Sequence, residues 1–281
     1  MQILIVPQPD DAALLTARII ARDLQSKPQL VLGLATGRTT ERVYHYLAEF
    51  HRLEGLEFSA CQTFNLDEYI GIPASHPASF RQYMEEHFFS KVNLSPSNTF
   101  LPDGMAADLP GECLRYESLI RERGGVDLQL LGLGNNGHIG FNEPLSSLRS
   151  RTREKLLSRT TRDQNAAMFG GDPEQVPARA ITMGVGTILD ARRCVLLVTG
   201  AAKADIVART VEGPLTSMVT GSALQMHPYC QVVLDQAAAS ALQEQDEYAY
   251  AFAHEAEWGE FRDLRALQPA ARKGRSGRLS A

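Results

Sequence analysis

The sequence has few of the features that mark secreted, membrane-bound or metal-binding proteins. Its 281 residues include only four cysteines (Cys61, Cys113, Cys194 and Cys230), and none of them lies in a CxxC or similar short spacing. Widely spaced cysteines are typical of buried thiols in a reducing compartment. No apolar run approaches the ~18 residues that a membrane-spanning helix requires, and the first residues lack the basic start of a signal peptide. We therefore expect a cytoplasmic protein with no membrane contact.

Positive charge is also scarce over most of the chain. Lys and Arg total 28 against 33 Asp and Glu, which gives a net charge of −5. Residues 261–281 carry six basic side chains and one acid, so residues 1–260 hold a net charge of −10. Nucleic-acid binding depends on clustered cations, and the acidic body argues against that function. If the ligand is an anion, a few local cations must bind it against the field of the whole protein.

Short apolar segments alternate with segments of helical spacing along the chain. Strands are predicted at 2–6, 30–35, 61–66, 126–134, 194–200 and 231–235, and helices at 10–25, 40–52, 79–89 and 113–123. Apolar strands separated by helices are typical of a parallel sheet covered on both faces. The sequence therefore predicts an α/β protein, a single-domain, Rossmann-like open sheet dominated by parallel strands, with helices on both faces. This domain is predicted to span residues 1–260, and the basic segment 261–281 to be a disordered tail.

Two loops after predicted strands carry groups that suit an anion. In open α/β sheets, ligands bind beyond the carboxyl ends of the strands. Thr36, Gly37, Arg38 and Thr39 follow one strand and open a helix, whose N–H groups and hydroxyls can hold an anion; a plain turn is the simpler alternative. Lys203 begins a later helix, where acids are the usual residues. This position indicates either an anionic partner or a solvated lysine.

Groups for acid/base chemistry follow two other strands. Asp67 and Glu68 are adjacent, and because neighbouring side chains of an extended chain point to opposite sides, at most one of them can face the cleft. The segment 132–144, GLGNNGHIGFNEP, combines four glycines with His138 and Glu143. A histidine in a glycine-rich loop beside an acid is a candidate general acid/base. The chain has no GxSxG, HxH or HExxH pattern, so serine-hydrolase and metal interpretations have little support.

With these motifs in place, the sequence resembles the glucosamine-6-phosphate deaminase (isomerising) family over roughly residues 1–250. The matching segments are LGLATG (32–37), FNLDEYIG (64–71), HPASFRQYM (76–84), GLGNNGHIGFNEP (132–144), SRTR (150–153) and ALQMHP (223–228). The related 6-phosphogluconolactonases share the sheet but continue differently after the histidine. The resemblance implies conversion of glucosamine 6-phosphate and water to fructose 6-phosphate and ammonia, with no metal and no organic cofactor.

The resemblance also implies roles for four residues. Asp67 matches the base that moves a proton between C2 and C1 of the sugar, and His138 matches the acid/base that opens the ring. Glu143 and Asn136 match the groups that orient and tune the imidazole. Some members of the family carry Asp where this chain has Asn136, so we expect altered electrostatics at His138 rather than a loss of activity.

Two positions depart from the family pattern near the phosphate. Ala167 stands where the pattern TRxxNxR has an arginine, and Arg38 stands where the loop usually has a small residue. We predict that Arg38 supplies the missing guanidinium beside Lys203, since arginine binds phosphate through two N–H groups. The alternative is an Arg38 that points to solvent and a weaker affinity for phosphate.

The resemblance further implies a homo-oligomer, such as a hexamer, and a regulatory site. Ser147, Arg153 and Lys155 match positions that bind allosteric N-acetylglucosamine 6-phosphate between subunits of hexameric members. The alternative for these three residues is a charged lid segment without a ligand.

Three other functions stay open beside glucosamine-6-phosphate deamination. The enzyme alternatives are a deaminase for galactosamine 6-phosphate and a hydrolase of the 6-phosphogluconolactonase type. The non-enzymatic alternative is a sugar-phosphate sensor with the same fold. The joint presence of Asp67, His138 and Glu143 argues against the sensor, because a sensor needs no base.

Overall fold

The computed structural model describes residues 1–269, and two sheets organise it. The strands are β1 (Gln2–Val6), β2 (Val31–Leu34), β3 (Gln62–Asn65), β4 (Asp67–Tyr69), β5 (Thr99–Phe100), β6 (Leu128–Leu131), β7 (Arg153–Leu156), β8 (Arg179–Thr182), β9 (Arg193–Val198) and β10 (Cys230–Asp235). Seven of them form a parallel sheet in the order β1-β10-β9-β6-β2-β3-β5. The other three form a small antiparallel sheet in the order β4-β8-β7.

Helices connect the parallel strands. The α-helices are α1 (Pro9–Ser26), α2 (Arg38–Glu54), α3 (Phe80–His87), α4 (Leu109–Glu122), α5 (Arg159–Asn165), α6 (Val185–Leu189), α7 (Ala204–Val211) and α8 (Gln245–His254). Short 3₁₀ helices lie at Phe89–Lys91, Pro96–Asn98, Ala166–Phe169, Pro173–Gln175, Ala201–Lys203, Thr220–Met226 and Ala256–Phe261. No helix within residues 1–269 is both long and apolar enough to cross a membrane.

Both faces of the parallel sheet are covered by apolar packing. Leu32 and Leu34 of β2 belong to a core cluster that also contains residues of α1 and α2. Val31 of the same strand belongs to a second cluster, shared with residues of α4 and α7. This alternation places successive side chains on opposite faces. It confirms the predicted open, parallel α/β sheet with helices on both sides, and the four cysteines are buried as free thiols, as their spacing indicates.

The packed part of the chain continues past residue 260, the predicted end of the domain. Phe261 and Leu267 are only 2% and 6% exposed and belong to the cluster around α1. The Arg18 guanidinium donates from Nε to the carbonyl oxygen of Leu267 at 2.6 Å. Apolar side chains between the basic ones therefore tie this stretch to the domain, and the rest of the predicted tail, 270–281, lies outside the described residues.

Candidate active site

A cavity opens at the carboxyl ends of β9, β6, β2 and β3, which are neighbours in the parallel sheet. Loops after all four strands line it, as expected for a ligand site in an open α/β sheet. The predicted site residues that line it are Thr36, Gly37, Arg38, Thr39, Asp67, His138 and Lys203. The fold thus brings residues from four separate segments to one place.

Asp67 is the first residue of β4 and is 5% exposed. Burial, and then the charge of the neighbouring Glu68, raise the pKa of the Asp67 carboxyl to about 8. A carboxyl that titrates near neutral pH is able both to accept a proton and to return it. Asp67 therefore has the protonation behaviour that a shuttling base needs.

Glu68 has a structural role instead. Its carboxylate accepts hydrogen bonds from the backbone N–H groups of Tyr69 (2.9 Å), Phe80 (2.9 Å) and Arg81 (3.0 Å). Phe80 and Arg81 open α3, where unpaired N–H groups favour an acid. As expected from the alternation of side chains, one of the two adjacent carboxylates faces the cavity and the other faces away from it.

His138 lies in the glycine-rich loop after β6, and the glycines explain its position. A Cβ atom on Gly134 would lie 2.3 Å from both Nε2 and Cε1 of the imidazole. Only glycine therefore allows the ring to lie against the backbone at this point. Gly137 has a φ of +83°, and a Cβ atom there would lie 2.6 Å from Cγ1 of Val219. The loop sequence thus follows from the space that the ring and its neighbours occupy.

Glu143 lies behind the His138 ring. Its Oε2 is 3.6 Å from His138 Nδ1, an ion-pair distance, and its Oε1 accepts from the backbone N–H of Ser158 at 3.0 Å. Burial by itself raises the pKa of Glu143, but the contact with His138 and the hydrogen bonds outweigh it and lower that pKa to about 2. Glu143 therefore stays ionised at neutral pH and places a negative charge beside the imidazole.

Asn136 contacts Glu143 rather than the imidazole ring. Its Nδ2 donates to Oε2 of Glu143 at 2.8 Å, and its Oδ1 accepts from the backbone N–H of His138 at 3.2 Å. The amide thus holds the carboxylate and the loop, and it reaches the ring only through Glu143. The resemblance alone leaves this arrangement open.

Two cations lie at the other end of the cavity. Lys203 Nζ donates to the carbonyl oxygen of Leu133 and to Oδ1 of Asn135, both at 2.6 Å. Burial, and then the nearby charge of Arg38, lower the pKa of Lys203 to about 8. The Arg38 side chain is exposed at the start of α2. Two like charges held close together in a cavity suit a multiply charged anion.

The turn before Arg38 is held by one tyrosine. Gly37 has a φ of +141°, in the region that favours glycine, and the Tyr83 hydroxyl accepts from its N–H at 3.2 Å and donates to its carbonyl oxygen at 2.9 Å. Thr40, behind the turn, donates to the same carbonyl oxygen at 2.8 Å. The loop is therefore fixed from α3 as well as from α2.

The sequence interpretation missed the wall formed by α5 and the 3₁₀ helix that follows it. Gln164, Asn165 and Met168 line the cavity. Oε1 of Gln164 accepts from the backbone N–H of Asn135 at 3.3 Å, and Asn165 Nδ2 donates to the Tyr69 hydroxyl at 2.9 Å. The TRxxNxR pattern includes Asn165 and could have indicated this wall. Ala167 is exposed beside it and does not line the cavity.

The three predicted regulatory residues lie outside the cavity. Arg153 and Lys155 are two positions apart on β7, and Arg153 Nη1 donates to Oδ1 of Asn142 at 2.8 Å. Ser147 is exposed, and its Oγ accepts from the backbone N–H of Arg149 at 3.2 Å. Residues 1–269 contain no group of three or more His, Cys, Asp or Glu side chains placed to hold a metal ion.

Known proteins of similar sequence support the interpretation drawn from the cavity residues. Residues 9–238 match the sequence family described as glucosamine-6-phosphate isomerases/6-phosphogluconolactonase. A glucosamine-6-phosphate deaminase of Hahella chejuensis is 49% identical over 250 residues, which are 89% of this chain and 95% of that protein. One of Arthrobacter is 47% identical over 258 residues, or 92% of this chain and 99% of that protein.

Solved structures agree. A monomeric glucosamine-6-phosphate deaminase superposes with a TM-score of 0.84 at 42% identity, over 86% of this chain and all of that one. A 6-phosphogluconolactonase of Trypanosoma brucei shares the fold, with a TM-score of 0.66 at 20% identity over 86% of this chain and 98% of that one. The chain therefore belongs to the family of glucosamine-6-phosphate isomerases and 6-phosphogluconolactonases.

Proposed function

We propose that this chain is a glucosamine-6-phosphate deaminase, which converts glucosamine 6-phosphate and water to fructose 6-phosphate and ammonia in amino-sugar catabolism. The observation that carries the proposal is the cavity itself, which holds a carboxyl and an imidazole together with a pair of cations. The two relatives described above, at 47% and 49% identity, are deaminases of this kind. The lactonase likeness is confined to the fold, since that structure is only 20% identical.

The first chemical step is ring opening at His138. The imidazole accepts the proton of the sugar O1 hydroxyl and returns one to the ring oxygen O5, so that the C1–O5 bond breaks and an aldehyde forms. Glu143 stabilises the imidazole while it carries the extra proton, because its own low pKa keeps it ionised. Asn136 holds Glu143 in place for this step.

The second step is proton transfer by Asp67. The carboxylate takes the proton from C2 while O1 gains the proton that the substrate ammonium gives up, which yields an enolamine. The Asp67 carboxyl then returns its proton to C1, which leaves a protonated imine at C2. Water adds to C2 and the C–N bond breaks, so that fructose 6-phosphate and ammonia are released. A positioned acid/base of this type contributes roughly 10²–10⁴-fold to the rate.

The phosphate lies at the cation end in this proposal. Arg38 and Lys203 pair with its oxygens, and Thr36 and Thr39 offer hydroxyls at the start of α2. Arg38 thereby takes over the charge that an arginine at position 167 would supply. The closeness of the two cations, seen in the effect of Arg38 on the pKa of Lys203, supports this exchange.

One substrate panel tests the proposed function. The purified protein is assayed for ammonia release from glucosamine 6-phosphate and galactosamine 6-phosphate, and for hydrolysis of 6-phosphogluconolactone. We expect rapid release from glucosamine 6-phosphate and no lactone hydrolysis above the spontaneous rate. Faster release from the galacto epimer would reassign the substrate, and lactone hydrolysis alone would contradict the proposal.

Three further proposals accompany this function. We propose that Ser147, Arg153 and Lys155 bind the phosphate of N-acetylglucosamine 6-phosphate and thereby regulate the enzyme. Burial, and then the charge of Arg153, lower the pKa of Lys155, which supports an anion beside the two cations. We also propose a homo-oligomer in the cytoplasm; its state is measured by size-exclusion chromatography with light scattering, with and without that ligand.

A further inference from the structure

The two acid/base groups lie on different parts of the fold, so contacts between these parts must fix the distance between the groups. Asp67 begins β4 of the small antiparallel sheet, whereas His138 lies in the loop after β6 of the parallel sheet. Residues on separate segments can shift relative to each other unless contacts between the segments hold them in place. A displacement of ~1 Å is enough to lower a rate by about 10²-fold.

Thr182 joins the two segments. It is the last residue of β8, the central strand of the small sheet, and is the cross-strand partner of Asp67 on one side and of Arg153 on the other. Its Oγ1 accepts from the backbone N–H of Phe141, three residues after His138, at 3.0 Å. The side chain is fully buried and does not line the cavity.

Gly140 shows how closely these groups converge. A Cβ atom built on Gly140 would lie 3.0 Å from Oγ1 of Thr182 and 3.6 Å from Oδ2 of Asp67. The hydroxyl therefore lies against the backbone that runs from His138 to Phe141, next to the carboxyl of the base. Gly140 has a φ of +54°, and a larger residue at this position would be strained and crowded between the two groups.

A second side chain supports the same link. Asn142 is fully buried, and its Nδ2 donates to the carbonyl oxygens of Ile139 (2.9 Å) and Met183 (2.8 Å). Met183 in turn donates its N–H to the carbonyl oxygen of Leu66, the residue before Asp67, at 2.7 Å. The end of β8 is thus bonded to both catalytic segments at once.

We propose that Thr182 is a positioning residue for the deamination: its hydroxyl sets the placement of the His138 loop relative to the Asp67 carboxyl without touching substrate. This inference rests on the proposed function, because it concerns the rate of that reaction. Arg38 lies on another segment, and Lys203 contacts the His138 loop at Leu133 and Asn135. Thr182 contacts that loop six residues after Asn135, at Phe141, so loss of the hydroxyl should alter turnover far more than substrate affinity.

The test compares three variants with the full-length wild-type protein. Thr182→Val keeps the shape of the side chain and removes the hydroxyl, and Thr182→Ser keeps the hydroxyl. Thr16→Val is the matched control, since Thr16 is also fully buried and its hydroxyl donates to a backbone carbonyl, that of Ala12, at 2.8 Å within α1. Steady-state ammonia release gives kcat and KM, and calorimetry gives the affinity for 2-amino-2-deoxyglucitol 6-phosphate, the reduced open-chain substrate.

We expect Thr182→Val to lower kcat by ~10–100-fold, with KM and the affinity for the alditol phosphate changed by less than about twofold. Thr182→Ser should restore kcat to within about threefold of wild type, and Thr16→Val should leave it unchanged. If Thr182→Val does not fold, Thr182→Cys gives the same test, because a thiol is only a weak hydrogen-bond acceptor.

Three outcomes overturn the proposal, and they fall into two distinguishable kinds. An active wild type with an equally active Thr182→Val, or a serine variant as slow as the valine variant, contradicts the positioning role alone. A wild-type protein that releases no ammonia contradicts the proposed function, and the role of Thr182 with it.

Discussion

At one end of the cavity, Asp67 and His138 are 5% and 8% exposed, held by sheet pairing and by a glycine-rich loop. At the other end, Arg38 is exposed and Lys203 donates to Leu133 and Asn135 at the start of the same loop. Proton transfer requires a fixed geometry, whereas a phosphate accepts positive charge from several directions. The comparison teaches that the acid/base pair needs a more rigid setting than cations that bind a phosphate would need.

The largest effect should come from the base itself. Asp67→Asn removes the group that accepts the C2 proton and keeps its size, so we expect kcat to fall by ~10³–10⁴-fold, at the upper end of acid/base contributions. Affinity for the alditol phosphate should stay near that of wild type. Ammonia release and calorimetry measure the two quantities, with Asp246→Asn as a control, since Asp246 is exposed in the first turn of α8. Retained activity would show that Asp67 is not the base.

The partner of His138 should matter less than the base. Glu143→Gln removes the negative charge 3.6 Å from the imidazole Nδ1 and retains an oxygen for the Ser158 N–H. Without that charge the protonated ring is less stable, and kcat should fall by about 10²-fold, at the lower end of acid/base contributions. An unchanged kcat in steady-state assays would mean that Glu143 only supports the loop.

The pH dependence distinguishes the two ends of the cavity. Because the pKa of Asp67 is raised to about 8, the base is protonated and inactive below that pH. We expect kcat/KM to fall about tenfold per unit as the pH decreases from 7 to 6, as a single ionisation requires. A profile that is flat over this range, measured by ammonia release, would contradict the raised pKa.

The cation end should give the smallest effect, confined to binding. Arg38→Ala removes one charged hydrogen-bond donor, so we expect KM to rise ~10-fold and kcat to change by less than twofold. Arg52→Ala, an exposed arginine on the same helix that pairs with Glu49, serves as the control. An unchanged KM in Arg38→Ala would show that Arg38 points to solvent and does not replace the arginine missing at position 167.

The Arg38→Ala variant also tests whether Arg38 and Lys203 act together at alkaline pH. The charge of Arg38 contributes to the lowered pKa of Lys203, so its removal should raise that pKa. Lys203 should then stay protonated to higher pH. KM is expected to rise where Lys203 loses its proton, so this rise should move to higher pH in the variant. No movement would indicate that the two cations do not share one ligand.

The sequence predicted the parallel sheet well, because its strands are short apolar runs buried on both faces. The small antiparallel sheet was missed for the opposite reason. Its strand Arg153–Leu156 alternates half-buried and exposed residues, three of which are charged, and Asp67–Tyr69 is three residues long. Neither has a pattern that differs from a polar loop, so only the fold shows that they pair through β8.

Individual site residues were predictable where a loop has an unusual composition, such as many glycines or two adjacent carboxylates. The glycines around His138 make room for the ring that lies against Gly134. The two adjacent carboxylates after β3 indicate that one of them faces the cavity and the other does not. The contact of Asn136 with Glu143 and the link through Thr182 depend on chain segments far apart in sequence. No local pattern could indicate them.

The most direct test of the account follows both products of one reaction. Purified protein is mixed with glucosamine 6-phosphate at pH 8, and ammonia and fructose 6-phosphate are measured over time in the same sample. The account predicts that the two accumulate in equal amounts from the first minutes. Ammonia without fructose 6-phosphate, or neither product, would contradict it.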